Sequence, residues 1–220
     1  MIRMDCTAVL FDLDGVLIDS TSCVERHWKT WAHRHGLDAE SILRLAHGVR
    51  NVDTMRLIVP HLDVEQEAAQ FAAYEVADTE GVVAVDGASD ILASLHGIPW
   101  AIVTSCSAEL AQARILAARL PVPPLLITGS DVSAGKPDPE PYTLAAARLG
   151  VRPEGCVAVE DAPAGVEAGK GAGMRTIGVA FTYGPADLLA SGADVVIDRL
   201  RDLRLQKTDG GNILLSMRSP

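Results

Sequence analysis

Five short apolar runs from about residue 98 onward constrain the fold most: Trp100–Val103, Leu125–Ile127, Val157–Val159, Thr176–Val179 and Val195–Ile197. They are near-continuous rather than alternating, the pattern of strands covered on both faces. Helical patterns fill the gaps, near 107–119, 139–149, 163–172 and 185–191, and Gly150 follows the second where a C-terminal stop belongs. Strand and helix in alternation predict an α/β domain built on a doubly wound parallel sheet. A further run, Thr7–Phe11, adds a strand at the start of the chain.

Residues 19–80 interrupt this alternation with no convincing strand. Val24, Trp28, Trp31, Ala32 and His35 recur at helical spacing until Gly36, and further helices fit 39–46 and 64–79. The two tryptophans are expected to pack helix on helix rather than to form a ligand platform. The expected division is a core of 1–15 and 86–220 with an inserted helical unit, 16–85, as a candidate lid. At the far end, 203–207 and 212–215 flank a Gly-rich turn at 208–211 and read as a C-terminal β-hairpin.

Composition narrows the function classes. With 220 residues, 48% hydrophobic and 22% charged, the chain can bury a core without disulfides or a structural metal. A formal charge of -10 argues against non-specific binding to nucleic acid or anionic membranes. No apolar stretch is long enough to span a bilayer, and Arg3 and Asp5 interrupt any leader-like run, so a soluble cytoplasmic protein is expected. Cys6, Cys23, Cys106 and Cys156 lack metal-binding spacing and are expected to be free thiols.

Ligands of parallel α/β sheets bind at the C-terminal strand ends, so the residues after each run carry the chemistry. Asp12-Leu13-Asp14-Gly15 follows the first run and Thr104-Ser105-Cys106-Ser107 the second. Lys136 follows the third, and Glu160-Asp161 the fourth. Acids facing each other at one sheet edge need a cation between them, and hard carboxylate oxygens select Mg2+. With Lys136 that cation would let a carboxylate approach an anionic phosphoryl group. Ser105 and nearby backbone N–H groups would hold the remaining phosphoryl oxygens. Asp12 and Asp14, two residues apart at a strand end, project to one side, so one can attack phosphorus while the other handles a proton.

Phe11-Asp12-Leu13-Asp14-Gly15, Ser105, Lys136 within Gly135-Lys136-Pro137, and Glu160-Asp161-Ala162-Pro163-Ala164-Gly165 resemble, in order, the four motifs of the haloacid dehalogenase-like (HAD) superfamily. The last two have the form found in its sugar- and polyol-phosphate phosphatases. The resemblance implies that Asp12 is the nucleophile forming an aspartyl-phosphate, and that Asp14 is general acid and then general base. It implies phosphoryl binding by Ser105, Lys136 and the Cys106 backbone. Mg2+ would be held by Asp12, the Asp14 carbonyl and Asp161, with Glu160 supporting its water shell. The insertion resembles the family's helical (C1-type) cap.

Residues 21–50 carry five Arg or Lys against three acids, which suits a lid over an anion. His47-Gly48-Val49-Arg50 resembles the cap loop of glycerol- and sugar-phosphate phosphatases, which implies substrate binding by Arg50. Asp14 argues against dehalogenase chemistry, and Val24 stands where sugar phosphomutases usually carry histidine. The expected activity is Mg2+-dependent hydrolysis of small sugar or polyol phosphates. The alternatives are a β-phosphoglucomutase-like mutase and a catalytically silent phosphometabolite-binding protein. The partner implied is a small phosphorylated metabolite, with neither nucleic acid nor membrane, in a monomer or weak dimer.

Overall fold

In a computed structural model, which describes residues 2–208 and 213–217, the apolar runs assemble into a six-stranded parallel sheet. Its strands are β2 (Ala8–Phe11), β5 (Trp100–Val103), β6 (Leu126–Ile127), β7 (Cys156–Glu160), β8 (Arg175–Val179) and β9 (Val195–Ile197), in the order β6-β5-β2-β7-β8-β9. The chain works outward from β2 through β5 to β6, then crosses back to β7 on the other side. The C-terminal ends of β2 and β7 therefore flank the topological switch point, where such sheets open a crevice.

Side chains along β2 alternate between the two cores. Val9 and Phe11 pack with α5 (Ala88–Ser94) and α6 (Ala108–Ala117), while Ala8 and Leu10 pack with α7 (Glu140–Leu149) and Ala168 of α8 (Pro163–Gly171). A short helix, α9 (Pro185–Ala190), covers the β9 edge through Leu188. Both faces are thus covered, which is why the runs show no alternation.

The C-terminal strands β10 (Leu203–Lys207) and β11 (Ile213–Met217) pair antiparallel, and β11 also pairs with β1 (Ile2–Cys6). Ile213, Leu215 and Met217 alternate into the core against the parallel sheet. Most of the Gly-rich turn between them lies outside the described residues.

Four helices fill the insertion: α1 (Thr21–His35), α2 (Ala39–Ala46), α3 (Asn51–Ile58) and α4 (Val64–Ala77). Gly36 ends α1 in a left-handed conformation, its N–H donating to Ala32 and His33 carbonyls. Asp38 and Asp63 cap α2 and α4 by accepting from the N–H of Ser41 and Gln66. The helices have their own core, in which Trp28 meets Trp31 edge-to-face at 5.5 Å and packs tilted on Phe71 at 4.5 Å between ring centroids. Both tryptophans thus serve helix packing, although Trp28 also reaches the wall of the cavity described below. The chain enters and leaves the helices through a small antiparallel pair, β3 (Ile18–Asp19) with β4 (Val83–Ala84). No helix among the described residues is long and apolar enough to cross a membrane.

Candidate active site

Asp12 follows β2 directly, and its backbone N–H extends the parallel ladder to the Val159 carbonyl at 2.9 Å. Glu160 closes β7 and Asp161 follows it, so adjacent strands deliver three carboxylates to one point. Each offers an oxygen, and the three oxygens lie within 4.8 Å of one another. Lys136 enters from the loop before α7, its ammonium 2.6 Å from Asp12 Oδ1, 2.6 Å from Glu160 Oε1 and 2.9 Å from the Val103 carbonyl. All four residues are less than 5% exposed.

Two glycines make this crowding feasible. A Cβ on Gly15, which has φ +79°, would lie 1.8 Å from Asp161 Oδ2, and one on Gly165 would lie 2.0 Å from Glu160 Oε2. Tyr142, from α7, donates its hydroxyl to Glu160 Oε1. Glu160 Oε2 is buried with no hydrogen-bond partner among the described residues.

Burial, with neighbouring acids adding to it, pushes Asp12 well above the usual carboxylate range against the pull of Lys136. Asp161 rises to about 7, first through burial and then through Glu160 and Asp14, with Thr182 and Lys136 opposing. Burial works against the charge on Lys136, but Asp12 and Glu160 outweigh it and hold the ammonium protonated. Three buried acids against one lysine, with one carboxylate oxygen orphaned, form a hard-oxygen donor set one cation short. A small divalent ion such as Mg2+ fits that chemistry.

Asp14 stands beside this trio rather than in it. Its Oδ1 accepts from Ser20 Oγ at 2.5 Å and Arg114 Nη1 at 2.9 Å, and its Oδ2 from the Cys106 thiol at 3.1 Å. Arg114 Nη2 continues to Glu75 Oε1 at 2.9 Å, and Asn51 Nδ2 donates to Glu75 Oε2 at 2.6 Å. Burial opposes the charge on Arg114, but Asp14, Cys106 and Glu75 together keep the guanidinium protonated. Burial lifts Glu75 despite Arg114 beside it.

The helices lie over this edge and leave a partly open cavity of about 220 Å³. Asp12, Asp14, Arg50, Ser105, Cys106 and Asp161 line it, with Lys136 and Glu160 behind the wall. Ser105 Oγ donates to the Gly48 carbonyl at 2.8 Å, and the Cys106 N–H donates to Thr104 Oγ1 at 3.1 Å. Arg50, whose sequence context suggests a substrate contact, uses all three guanidinium nitrogens elsewhere. Nε donates to Asp53 at 2.6 Å, Nη1 to the Val132 carbonyl at 3.2 Å and Nη2 to the Ser133 carbonyl at 3.1 Å.

The sequence reading omitted Tyr142, Arg114, Glu75, Asn51, Ser20 and Thr182. Only Thr182 follows a recognised strand closely enough for the strand-end rule to have found it.

A doubly wound sheet with clustered acids and a lysine at its switch point, roofed by helices, has the layout of an α/β enzyme. The family model for "haloacid dehalogenase-like hydrolase" matches residues 6–173, and the chain belongs to that family. It is similar to hexitol phosphatase A of Escherichia coli (strain K12), at 41% identity over 218 residues, 96% of this chain and 100% of that protein. It is also similar to 2-deoxyglucose-6-phosphate phosphatase 2 of Saccharomyces cerevisiae, at 33% identity over 233 residues, 96% and 95% of the two lengths. Among solved structures, a hydrolase from Pseudomonas syringae shares the fold with a TM-score of 0.79 at 24% identity, covering 89% of this chain and 94% of its own.

Proposed function

We propose that this protein is a Mg2+-dependent phosphatase of small sugar or polyol phosphates, working through an aspartyl-phosphate. The observation that carries the reading is the Asp12–Lys136–Glu160–Asp161 cluster beside a cavity roofed by the helices. The relatives named for hexitol and deoxyglucose phosphate hydrolysis agree with it. The cavity's size supports a small ester, since about 220 Å³ is below the usual range for drug-sized ligands, roughly 300–1,000 Å³.

On this reading, residues 16–85 are a cap and 1–15 with 86–220 the catalytic core. Mg2+ is assigned to Asp12, Asp161 and the Asp14 carbonyl, with Glu160 supporting its water shell. Bound there, the cation supplies neutralisation of the acids and of the phosphoryl charge.

An Asp12 carboxylate oxygen attacks phosphorus, the ester P–O bond breaks, and Asp14 gives a proton to the departing alkoxide. Asp14 then takes a proton from the water that attacks the aspartyl-phosphate, which releases phosphate and regenerates Asp12. Lys136 holds Asp12 in orientation and balances phosphoryl charge. Ser105 and the Cys106 N–H are assigned to phosphoryl oxygens, which requires both to leave their present partners. Arg50 we assign a clasp between cap and core in the closed arrangement. The four free cysteines agree with a reducing, cytoplasmic compartment.

The test is phosphate release with Mg2+ over a panel of glucitol 6-phosphate, mannitol 1-phosphate, 2-deoxyglucose 6-phosphate and glycerol 1-phosphate, with Asp12→Asn as control. Asp12-dependent release from any of them supports the reading. Silence across the panel, with hexose phosphates isomerised only when a bisphosphate is added, replaces it with a mutase.

A further inference from the structure

The proposed mechanism leaves the buried pair Arg114 and Glu75 unused. Arg114, on α6 of the core, is 3% exposed and bridges carboxylates from two parts of the molecule, Asp14 at 2.9 Å and Glu75 at 2.9 Å. Glu75 belongs to α4, is equally buried, and is steadied by Asn51 of α3. One guanidinium therefore joins the acid–base carboxylate to the helical insertion. Taking either partner away leaves an uncompensated buried charge, so the bridge is complete only when the helices are seated.

The two oxygens of Asp14 are held unequally. Oδ1 accepts a charge-assisted bond from Arg114 and a short one from Ser20, whereas among the described residues Oδ2 accepts only from the thiol of Cys106, a weak donor. Anchoring Oδ1 fixes the rotation of the carboxyl group. It leaves Oδ2 as the oxygen with capacity to carry a proton to a leaving group.

We propose that Arg114 is a positioning residue for Asp14, and that Glu75 makes this positioning conditional on a seated cap. The inference rests on the reading of Asp14 as proton donor. Arg114 need not touch the substrate; it sets where the proton is delivered. Lifting α4 away would remove Glu75 and leave Arg114 one carboxylate short, so accurate proton delivery coincides with an enclosed substrate.

The experiment compares two esters in the full-length enzyme with Mg2+. The alkoxide of glucitol 6-phosphate leaves only with a proton, whereas the nitrophenolate of 4-nitrophenyl phosphate leaves without one. Because kcat/KM reports steps through the first transfer, it isolates the leaving group's need. Arg114→Met is expected to lower kcat/KM on the hexitol ester by roughly 100-fold or more, with a change under ~3-fold on the nitrophenyl ester. Glu75→Gln should act in the same direction by about 10-fold, and Arg114→Lys should recover part of the loss.

Equal losses on both esters overturn the inference, as does unchanged turnover of the hexitol ester. Circular dichroism melting separates unfolding from misplacement. Should Arg114→Met fail to fold, the near-isosteric Glu75→Gln carries the same comparison. A native enzyme with no Asp12-dependent release from either ester overturns the reading of the site itself. That result differs from an active native enzyme whose Arg114 variants are impaired equally on both.

Discussion

On the sheet side of the cavity, Asp12, Glu160 and Asp161 stand at the ends of adjacent strands, with Lys136 between two of them. On the helical side, Glu75 of α4, steadied by Asn51 of α3, reaches the core through Arg114, and Arg50, just before α3, reaches it through the Val132 and Ser133 carbonyls. The sheet side is a dense charge cluster held by the main architecture and depends little on what sits above it. The seam with the helices depends on two units being in register. A phosphoryl group is common to every substrate, so the part that handles it can be fixed. The rest of the substrate varies, and the surface that meets it can be built from replaceable contacts.

That contrast is broken most directly at the proposed nucleophile. Asp12→Asn keeps the shape of the side chain but removes the attacking charge, so phosphate release should fall by roughly 10⁴-fold or more on every ester. A loss confined to some esters would show that substrate-dependent chemistry lies outside the cluster. The next largest effect is expected in stability. Lys136→Met leaves Asp12 and Glu160 buried without their partner, a loss on the order of 3–5 kcal/mol. Urea denaturation without Mg2+ measures it, and added Mg2+ should restore part of it.

The metal and the acids should also be linked through pH. Asp161 is raised from an ordinary carboxylate value to about 7, chiefly by burial, and Asp12 shifts in the same direction. Between about pH 4 and 7 the folded protein therefore holds protons that the unfolded chain has released. In EDTA, stability should fall as pH rises through that window, by a few kcal/mol at most. Mg2+ binds the ionised acids, so it should raise the melting temperature far more at pH 8 than at pH 5. A Mg2+ increment independent of pH would remove these carboxylates from the metal's coordination.

The same contrast explains what was legible in the sequence. Strands buried on both faces announce themselves as apolar runs, and the strand-end rule then points to Asp12, Asp14, Ser105 and Glu160-Asp161. Arg114 and Glu75 escape it because each sits in a helix where a lone charge reads as a solvated face. Their partnership spans 39 residues and exists only after the insertion folds back. Tyr142 reads as one more helix residue until α7 packs on the sheet beside Glu160. Elements were missed for comparable reasons. The seven-residue α5 is too short to display a period, α3 mixes polar and apolar residues, and β1 has an exposed edge-strand pattern that makes sense only beside β11.

Arg50 gives the smallest effect and the sharpest comparison between the two sides. Its sequence context points to the substrate, while its three nitrogens point to Asp53 and to the 132–133 carbonyls. A Cβ on Gly135 would meet its Nε at 2.6 Å, so the loop before Lys136 is shaped around this side chain. If Arg50 bound the phosphoryl group, Arg50→Ala would weaken every ester alike, because all share that group. As a clasp it acts on closure, so the loss should grow with how much an ester relies on the helical wall. The expected result is a rise in KM of about 10-fold for a hexitol phosphate, the loss of roughly one or two hydrogen bonds, and much less for glycerol 1-phosphate. Inhibition by inorganic phosphate, assigned above to the sheet side, should stay within about twofold of the native value. Loss of phosphate inhibition in step with KM would return Arg50 to the phosphoryl group and move the boundary between fixed chemistry and replaceable contacts into the cap.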